Sequence, residues 1–368
     1  MGARGAHFRR NWYAGFLGAL ALASTLSSCA SLGPQAVKAS RTDYNIALRD
    51  TGDEQLLLNL VRLKYRDNPM FLEATAVTTS FLFSPELSAS ATSGPEVDTS
   101  YGIGGSYVYE EKPTVSYAPL QGKDFVQRIL SPISLETLLL LATSGWSSER
   151  LLRTCVNYMN GLPNAPRASG PTPSVAPNYE QFVRAARLFR KLELSEAIRG
   201  GVREQNGARA TYITINPKGR GTPEFRALAG LLRLDPKRSA FLFKRDRGAT
   251  RSDEIHVETR SLIGVMYYLS QSVEVPEVDR RLGRVSLTLD NQGRPFDWQQ
   301  VTDGIMRIRS SSTEPDKAAV KIRYRGNWFY IDDSDLASKS SFGLLTQLFA
   351  LQSGGAESVA PVLTIPVG

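Results

Sequence analysis

The sequence predicts an α+β fold in two parts: an N-terminal helical region carrying a long β-hairpin, and a C-terminal mixed α+β domain. Three observations lead there. The hydrophobic period switches from helical to two-residue near Phe71 and returns to helical at Lys123. Beyond Tyr179, helical and strand-like segments are interleaved with hairpin turns, an order that suits α+β. Between the two parts, Pro163, Pro166, Pro171, Pro173 and Pro177 crowd one stretch, which reads as a linker over residues 161–178. With 368 residues, 42% hydrophobic and 22% charged, the chain has ample material for a core.

Residues 29–50 read as a tether and lead-in, and the helical region spans 51–160. Thr51-Gly52-Asp53-Glu54 has the form of a capping box. Leu56, Leu60 and Leu63 then share a face, Arg62, Lys64 and Arg66 favour the C-terminal end, and Asp67-Asn68-Pro69 stops the helix. The hairpin occupies 71–117. Phe71 to Phe83 and Leu87 to Thr92 form its first arm, Ser93-Gly94-Pro95 its turn, and Thr99 to Tyr109 its return, with a further extended piece at Thr114 to Tyr117. In the return arm Tyr101, Ile103, Tyr107 and Tyr109 lie on one side, and Ser100, Gly102, Gly104 and Ser106 on the other. Helices are expected at 123–130, 135–143 and 147–160, with Gly145 and Gly161 just past two of their ends.

In the domain 179–368, Phe182, Ala185, Ala186 and Phe189 mark an amphipathic helix over 179–192. A strand at 208–215, a helix at 224–234, strands at 240–244 and 254–258, and a helix at 261–273 follow. Strands are expected at 285–290, 304–309 and 320–332, the last folding about Arg325-Gly326-Asn327. A helix at 336–352 and a short strand at 362–365 complete the chain.

The N-terminus carries Arg4, Arg9 and Arg10, then an apolar run from Trp12 to Ala23, then small residues up to Cys29. This is the layout of a secretory signal, with an apolar stretch too short to span a bilayer as a helix. Leu26-Ser27-Ser28-Cys29 resembles the lipobox of bacterial lipoproteins. The resemblance covers about the first 31 residues. It implies cleavage between Ser28 and Cys29, a diacylglyceryl group on the Cys29 sulfur, and a palmitate-type acyl chain on the new amine. It further implies a protein held at the cell outer membrane, facing the periplasm, with Ala30 in place of the aspartate that favours the inner membrane. Several acyl chains bury enough methylenes to hold a folded body at a bilayer.

The net charge of +8 falls to +5 without the three signal arginines, a spread-out basicity that gives no argument for nucleic acid. Beyond Cys29 there remain one histidine, His256, and one cysteine, Cys155. No intramolecular disulfide can form, and no zinc site built on several His or Cys ligands fits within one chain. No cofactor is expected apart from the covalent lipid on Cys29. His256 sits in Asp253-Glu254-Ile255-His256-Val257-Glu258, where alternation predicts a solvated strand face shared with Glu254 and Glu258. Cys155 is expected to be a small buried residue on a helix face with Leu151 and Met159. No nucleophile elbow and no phosphate-binding glycine loop occurs in the mature body. Asp332-Asp333-Ser334-Asp335 is expected to cap the helix that follows, with a calcium site or catalytic carboxylate pair as alternatives, and Asp290-Asn291-Gln292-Gly293 to form a tight turn. The basic clusters Lys244-Arg245-Asp246-Arg247 and Arg280-Arg281-Leu282-Gly283-Arg284 suit solvated loops or anionic headgroups.

The leading expectation is a non-catalytic binding or scaffolding lipoprotein of the envelope, held by its lipid and partnered by an envelope protein or by itself. A second reading uses hairpin 71–109. Its arms reach the roughly 9–11 residues of a tilted membrane strand, and several copies in a ring close a barrel where one hairpin cannot. A third is a carboxylate-dependent hydrolase of envelope glycans.

Overall fold

The computed structural model describes residues 32–94, 97–171, 173–205, 207–246 and 251–353. The lipobox and the expected strand at 362–365 lie outside them. The chain divides into two compact units, one ending at Asp53 and one beginning at Glu54.

Helix α1 runs unbroken over Leu32–Lys64. The expected lead-in is therefore helical from Leu32 onward, and Thr51 does not cap. Its hydroxyl instead donates backward to the carbonyls of Ala47 and Leu48, at 2.9 and 3.1 Å. Most residues of 42–50 are exposed, so no apolar stripe announced the helix there.

From Glu54 onward two cores form. The first gathers Leu57, Leu60 and Val61 of α1, Phe71, Phe125, Leu269, Met306, Phe329 and Leu345. Its elements are α2 (Lys123–Leu130), α3 (Leu135–Thr143) and α4 (Ser148–Cys155), together with the later part of the chain. The side chains of Ser134 and Ser147 cap α3 and α4, accepting from Thr137 N and Arg150 N.

The buried residues of the second core lie between Val156 and Val257, although Ala165 and Ala168 within that span pack in the first core. A six-stranded sheet forms the second core, in the order β4-β3-β8-β7-β6-β5. The strands are β3 (Val156–Met159), β4 (Leu162–Pro163), β5 (Ile198–Gln205), β6 (Ala208–Ile215), β7 (Ala240–Lys244) and β8 (Glu254–Thr259). All neighbours pair antiparallel except β7 and β8. Phe182, Ala186 and Phe189 of α5 (Glu180–Leu194), and Phe225 and Leu228 of a helix near it in sequence, α7 (Pro223–Leu232), fill this core. The short α6 (Pro217–Arg220) precedes α7.

Two expectations change here. The helix expected over 147–160 ends at Cys155, because β-branched Val156 begins a strand that pairs with β8. The proline-rich stretch 161–178 lies within the unit that begins at Glu54. Asn164, Ala165 and Ala168 are fully buried in it, Pro166 starts a 3-10 turn, and the Pro173 carbonyl accepts from Thr288 Oγ1. Its prolines fit a packed irregular segment rather than a free linker.

The chain returns to the first core through α8 (Leu262–Ser270), α9 (Glu277–Arg281) and α10 (Gln299–Thr302). It ends in the sheet β10-β11-β9, made of β9 (Arg309–Ser311), β10 (Ala318–Tyr324) and β11 (Asn327–Asp332), followed by α11 (Leu336–Ser353). The hairpin about Arg325-Gly326 forms as expected, with both residues at positive φ. Residues 285–290 do not form a strand. Leu289 makes isolated bridges to Val175 and Pro295, since no full strand lies alongside it. The expected strand 304–309 shifts to 309–311, because Gly304 at φ 68° sits in a turn.

Arg260 ties the two cores together. It is 1% exposed, and among the described residues no carboxylate lies within ion-pair distance of it. Its guanidinium donates to the carbonyls of Arg153, Thr154, Val156 and Asn164 and to Ser169 Oγ, and lies 4.1 Å from the Tyr268 ring centre. Three of those carbonyls sit at the C-terminal end of α4, where a cation meets the negative end of the helix dipole. Burial pushes the guanidinium down to about 10, with the Tyr268 and Cys155 groups opposing.

Candidate functional site

The most distinctive structure is the ribbon of β1 (Leu72–Gly94) and β2 (Val97–Pro119), each 23 residues long. The two pair antiparallel from Leu72↔Pro119 to Gly94↔Val97, with irregularities at Thr75 and near Thr92. Among the described residues they form a sheet of two strands that takes no third. An isolated two-stranded ribbon in water is marginal, so one of this length calls for a covering.

Its base is fixed by α1. Gln55 and Asn59, one turn apart, each grip one residue of the incoming strand. Gln55 Oε1 accepts from Leu72 N at 2.6 Å and its Nε2 donates to Leu72 O at 3.0 Å. Asn59 makes the same pair with Met70, at 3.0 and 2.7 Å. The two side-chain amides stand in for a neighbouring strand. Phe71 stacks on Phe349 at 5.1 Å and meets Phe125 edge-on, and its carbonyl accepts from Leu120 N as the ribbon re-enters.

Register decides the character of the ribbon's two faces. Phe81, Phe83, Pro85, Leu87, Ala89 and Ala91 fall opposite Glu111, Tyr109, Tyr107, Gly105, Ile103 and Tyr101. The two-residue period therefore places Phe81, Phe83, Leu87, Ala89 and Ala91 on the same face of the ribbon as Tyr101, Ile103, Tyr107 and Tyr109, and Leu82 and Val108 on the other. The other face carries Ser84, Glu86, Ser88 and Ser90 opposite Val108, Ser106, Gly104 and Gly102. Glu86, Ser88, Ser90, Gly104, Ser106 and Val108 are exposed on it. Glu110 and Lys112, also on this face, pair at 3.1 Å.

The remaining candidate residues lie elsewhere. His256 is buried, 7% exposed, and not on a solvated face. The reason is topological: β8 is an interior strand between β3 and β7. Its Nδ1 meets Asp246 Oδ1 at 2.5 Å and its Nε2 meets Glu254 Oε2 at 3.2 Å, which leaves neither nitrogen free to act as a base. Cys155 is fully buried, and burial pushes its thiol up to about 12. The Asp332–Asp335 stretch serves local structure. Asp332 Oδ1 accepts from Ser334 N and Oγ, Asp333 pairs with Lys339, and Asp335 accepts from Ser338 N and Oγ at the start of α11. Asp290 Oδ1 likewise closes its turn on Gln292 N and Arg294 N. In the basic clusters, Arg280 pairs with Glu277 and Arg284 with the buried Asp279, while Arg247 lies outside the described residues.

Two cavities gave no signal in the sequence. One of about 230 Å³ lies among α3, α4, α5 and the large sheet, and the buried Thr211 hydroxyl on its wall has no hydrogen-bond partner among the described residues. Another, of about 270 Å³, is lined by Lys64, Arg280, Phe296 and Trp298. Among the described residues no helix is long and apolar enough to cross a membrane, and no group of three or more His, Cys, Asp or Glu side chains is placed to hold a metal ion. No protein-family model, curated protein or solved structure matches the chain.

Proposed function

We propose that this chain is a lipid-anchored outer-membrane protein that acts by assembly. Several copies bring their β1–β2 ribbons edge to edge and close a barrel through the bilayer, with the folded bodies as a ring at the membrane. The carrying observation is the ribbon itself: long, two-stranded, and apolar along one face over both arms. An apolar face outward and a polar face inward is the alternation of a membrane barrel. The stretch from Phe81 to Ala91 rises about 33 Å at roughly 3.3 Å per residue. Tilted by about 45°, it covers the roughly 25 Å apolar band of such barrels. Glu111, opposite Phe81, marks the edge of that band on the apolar face. Open edges are forbidden in lipid, so each ribbon needs neighbours. Roughly four copies or more reach the smallest barrels of about 8 strands. Lipid on Cys29 would hold the copies in one plane and raise their effective concentration.

A monomeric scaffold that docks the apolar face on an envelope partner is the second reading, favoured by the same face. The hydrolase reading draws no support from Asp332, Asp333 and Asp335, each of which is engaged in local bonds. The test is the mass of the acylated protein, extracted in mild detergent, by light scattering. A discrete oligomer that becomes monomeric when residues 74–117 are replaced by a short turn supports the ring. A monomeric wild-type protein overturns it and leaves the scaffold.

A further inference from the structure

Lys64 ends α1 at the wall of the cavity of about 270 Å³. Its ammonium donates to Gln271 Oε1 at 3.0 Å, and Gln271 is held in that orientation because its own amide nitrogen donates to Tyr267 O. Among the described residues no carboxylate lies within ion-pair distance of Lys64, and the nearby charge acting on it is another cation, Arg280. Burial, with Arg280 adding to it, pushes the amine down to about 8. The cavity's two carboxylates are committed elsewhere. Glu274 is paired with Arg307 at 2.6 Å, and Asp297 accepts from Gln299 N at 2.9 Å. Phe296 and Trp298 also line this cavity and meet edge-on at 5.5 Å. Because Trp298 Nε1 already donates to Thr288 Oγ1, the indole offers its apolar ring surface.

We infer that this cavity binds an organic anion, whose charged group seats between Lys64 and Arg280 while its apolar body lies against Phe296 and Trp298. Such a ligand supplies the counter-charge Lys64 lacks and covers the aromatic wall. The inference does not depend on the ribbon or on the assembly state.

The experiment is titration calorimetry on the full-length protein in detergent, with benzoate as probe and benzyl alcohol and inorganic phosphate as comparisons. Benzoate is expected to bind saturably and benzyl alcohol roughly tenfold or more weakly. At pH 8.5 the bound anion restores the Lys64 charge, so binding takes up a proton, measured as a heat that varies with buffer ionisation enthalpy. Lys64→Met is expected to weaken benzoate roughly tenfold or more and to abolish the proton uptake. Arg280→Gln, at a half-exposed position that leaves the core intact, weakens it several-fold, which keeps the test valid should Lys64→Met fold poorly. Benzoate that does not saturate, or that binds both variants as it binds the wild type, overturns the inference. Phosphate binding as tightly as benzoate overturns the organic character of the ligand.

Discussion

Replacing Arg260 by Met keeps much of the side-chain volume but removes every donor. Four backbone carbonyls then lose a charged donor inside the protein; those of Arg153 and Val156 still accept from Asn164 Nδ2, at 2.8 and 2.7 Å, while those of Thr154 and Asn164 lose the side-chain donor they have. Each unsatisfied buried group costs about 1–3 kcal/mol. Some of that is offset, because a buried guanidinium without a carboxylate also carries a desolvation penalty that its removal relieves. A net loss of about 2–3 kcal/mol follows, within the range of a substantial single substitution. Cys155 offers a local readout, since it is fully buried, adjacent in chain to Thr154 and Val156, and one of two cysteines in the sequence, the other being Cys29. Its thiol reacts with an alkylating reagent only when this region opens. At about 1.4 kcal/mol per tenfold, Arg260→Met should speed labelling by roughly thirty- to a hundredfold, with a matching fall in the urea midpoint at unchanged slope. Arg260→Lys, with three donors in place of five, should fall between. A Met variant whose labelling rate stays within about tenfold of wild type would show that the carbonyl cage does not hold the two cores together.

Three further outcomes are expected. Asp279 is buried, which by itself raises its carboxyl, yet hydrogen bonds from Tyr65 at 2.6 Å and Arg284 at 2.7 Å hold it below the usual range. Its contribution is therefore present above about pH 4 and lost as pH falls through the lowered value. Tyr65→Phe should cost about 1.5–3 kcal/mol and move the acid-unfolding midpoint, followed by circular dichroism, to higher pH. Asp335→Ala removes the cap that accepts from Ser338, and should lower stability by about 1 kcal/mol in urea unfolding; no change would mean that the α11 start is fixed by packing alone. Ile103→Arg puts a charge on the ribbon's apolar face. At about 2–4 kcal/mol per copy near the bilayer midplane, it should prevent insertion into vesicles while the body's thermal melt is unchanged, and normal insertion would remove that face from the lipid.

Features set by neighbours in sequence were legible. The Asp335 cap, the Asp290 turn and the Arg325-Gly326 hairpin each depend on a few consecutive residues, and each forms as read. Features set across the chain were not. β5 gave no strand signal because Gly200 and Gly201 interrupt it. Those glycines answer to distant partners, since an added Cβ would come 2.5 Å from Leu139 Cδ1 at one and 2.8 Å from the Tyr212 ring at the other. His256 was misplaced because alternation separates two faces without saying which is covered. Gln55 and Asn59 stood as two polar residues beside an apolar stripe, and their grip on the ribbon needed the strand alongside. Lys64 showed only as a cation at a helix end, where such residues are common.

The sequence by itself determined the α+β class, most element positions after Phe71, and the alternation that gives the return arm one apolar side. These follow from backbone propensity and from a period that each segment carries alone. Tertiary structure decided the rest. It set the register that puts most of the apolar residues of both arms on one face, and among the described residues it gave the ribbon no third strand. It also gathered the second core from residues between Val156 and Val257, a span that returns to the first core at Ala165 and Ala168, with the Arg260 cage at the junction. The physical reason is that burial and pairing are properties of residues distant in the chain, so a segment's own pattern says which side is apolar but not what will cover it.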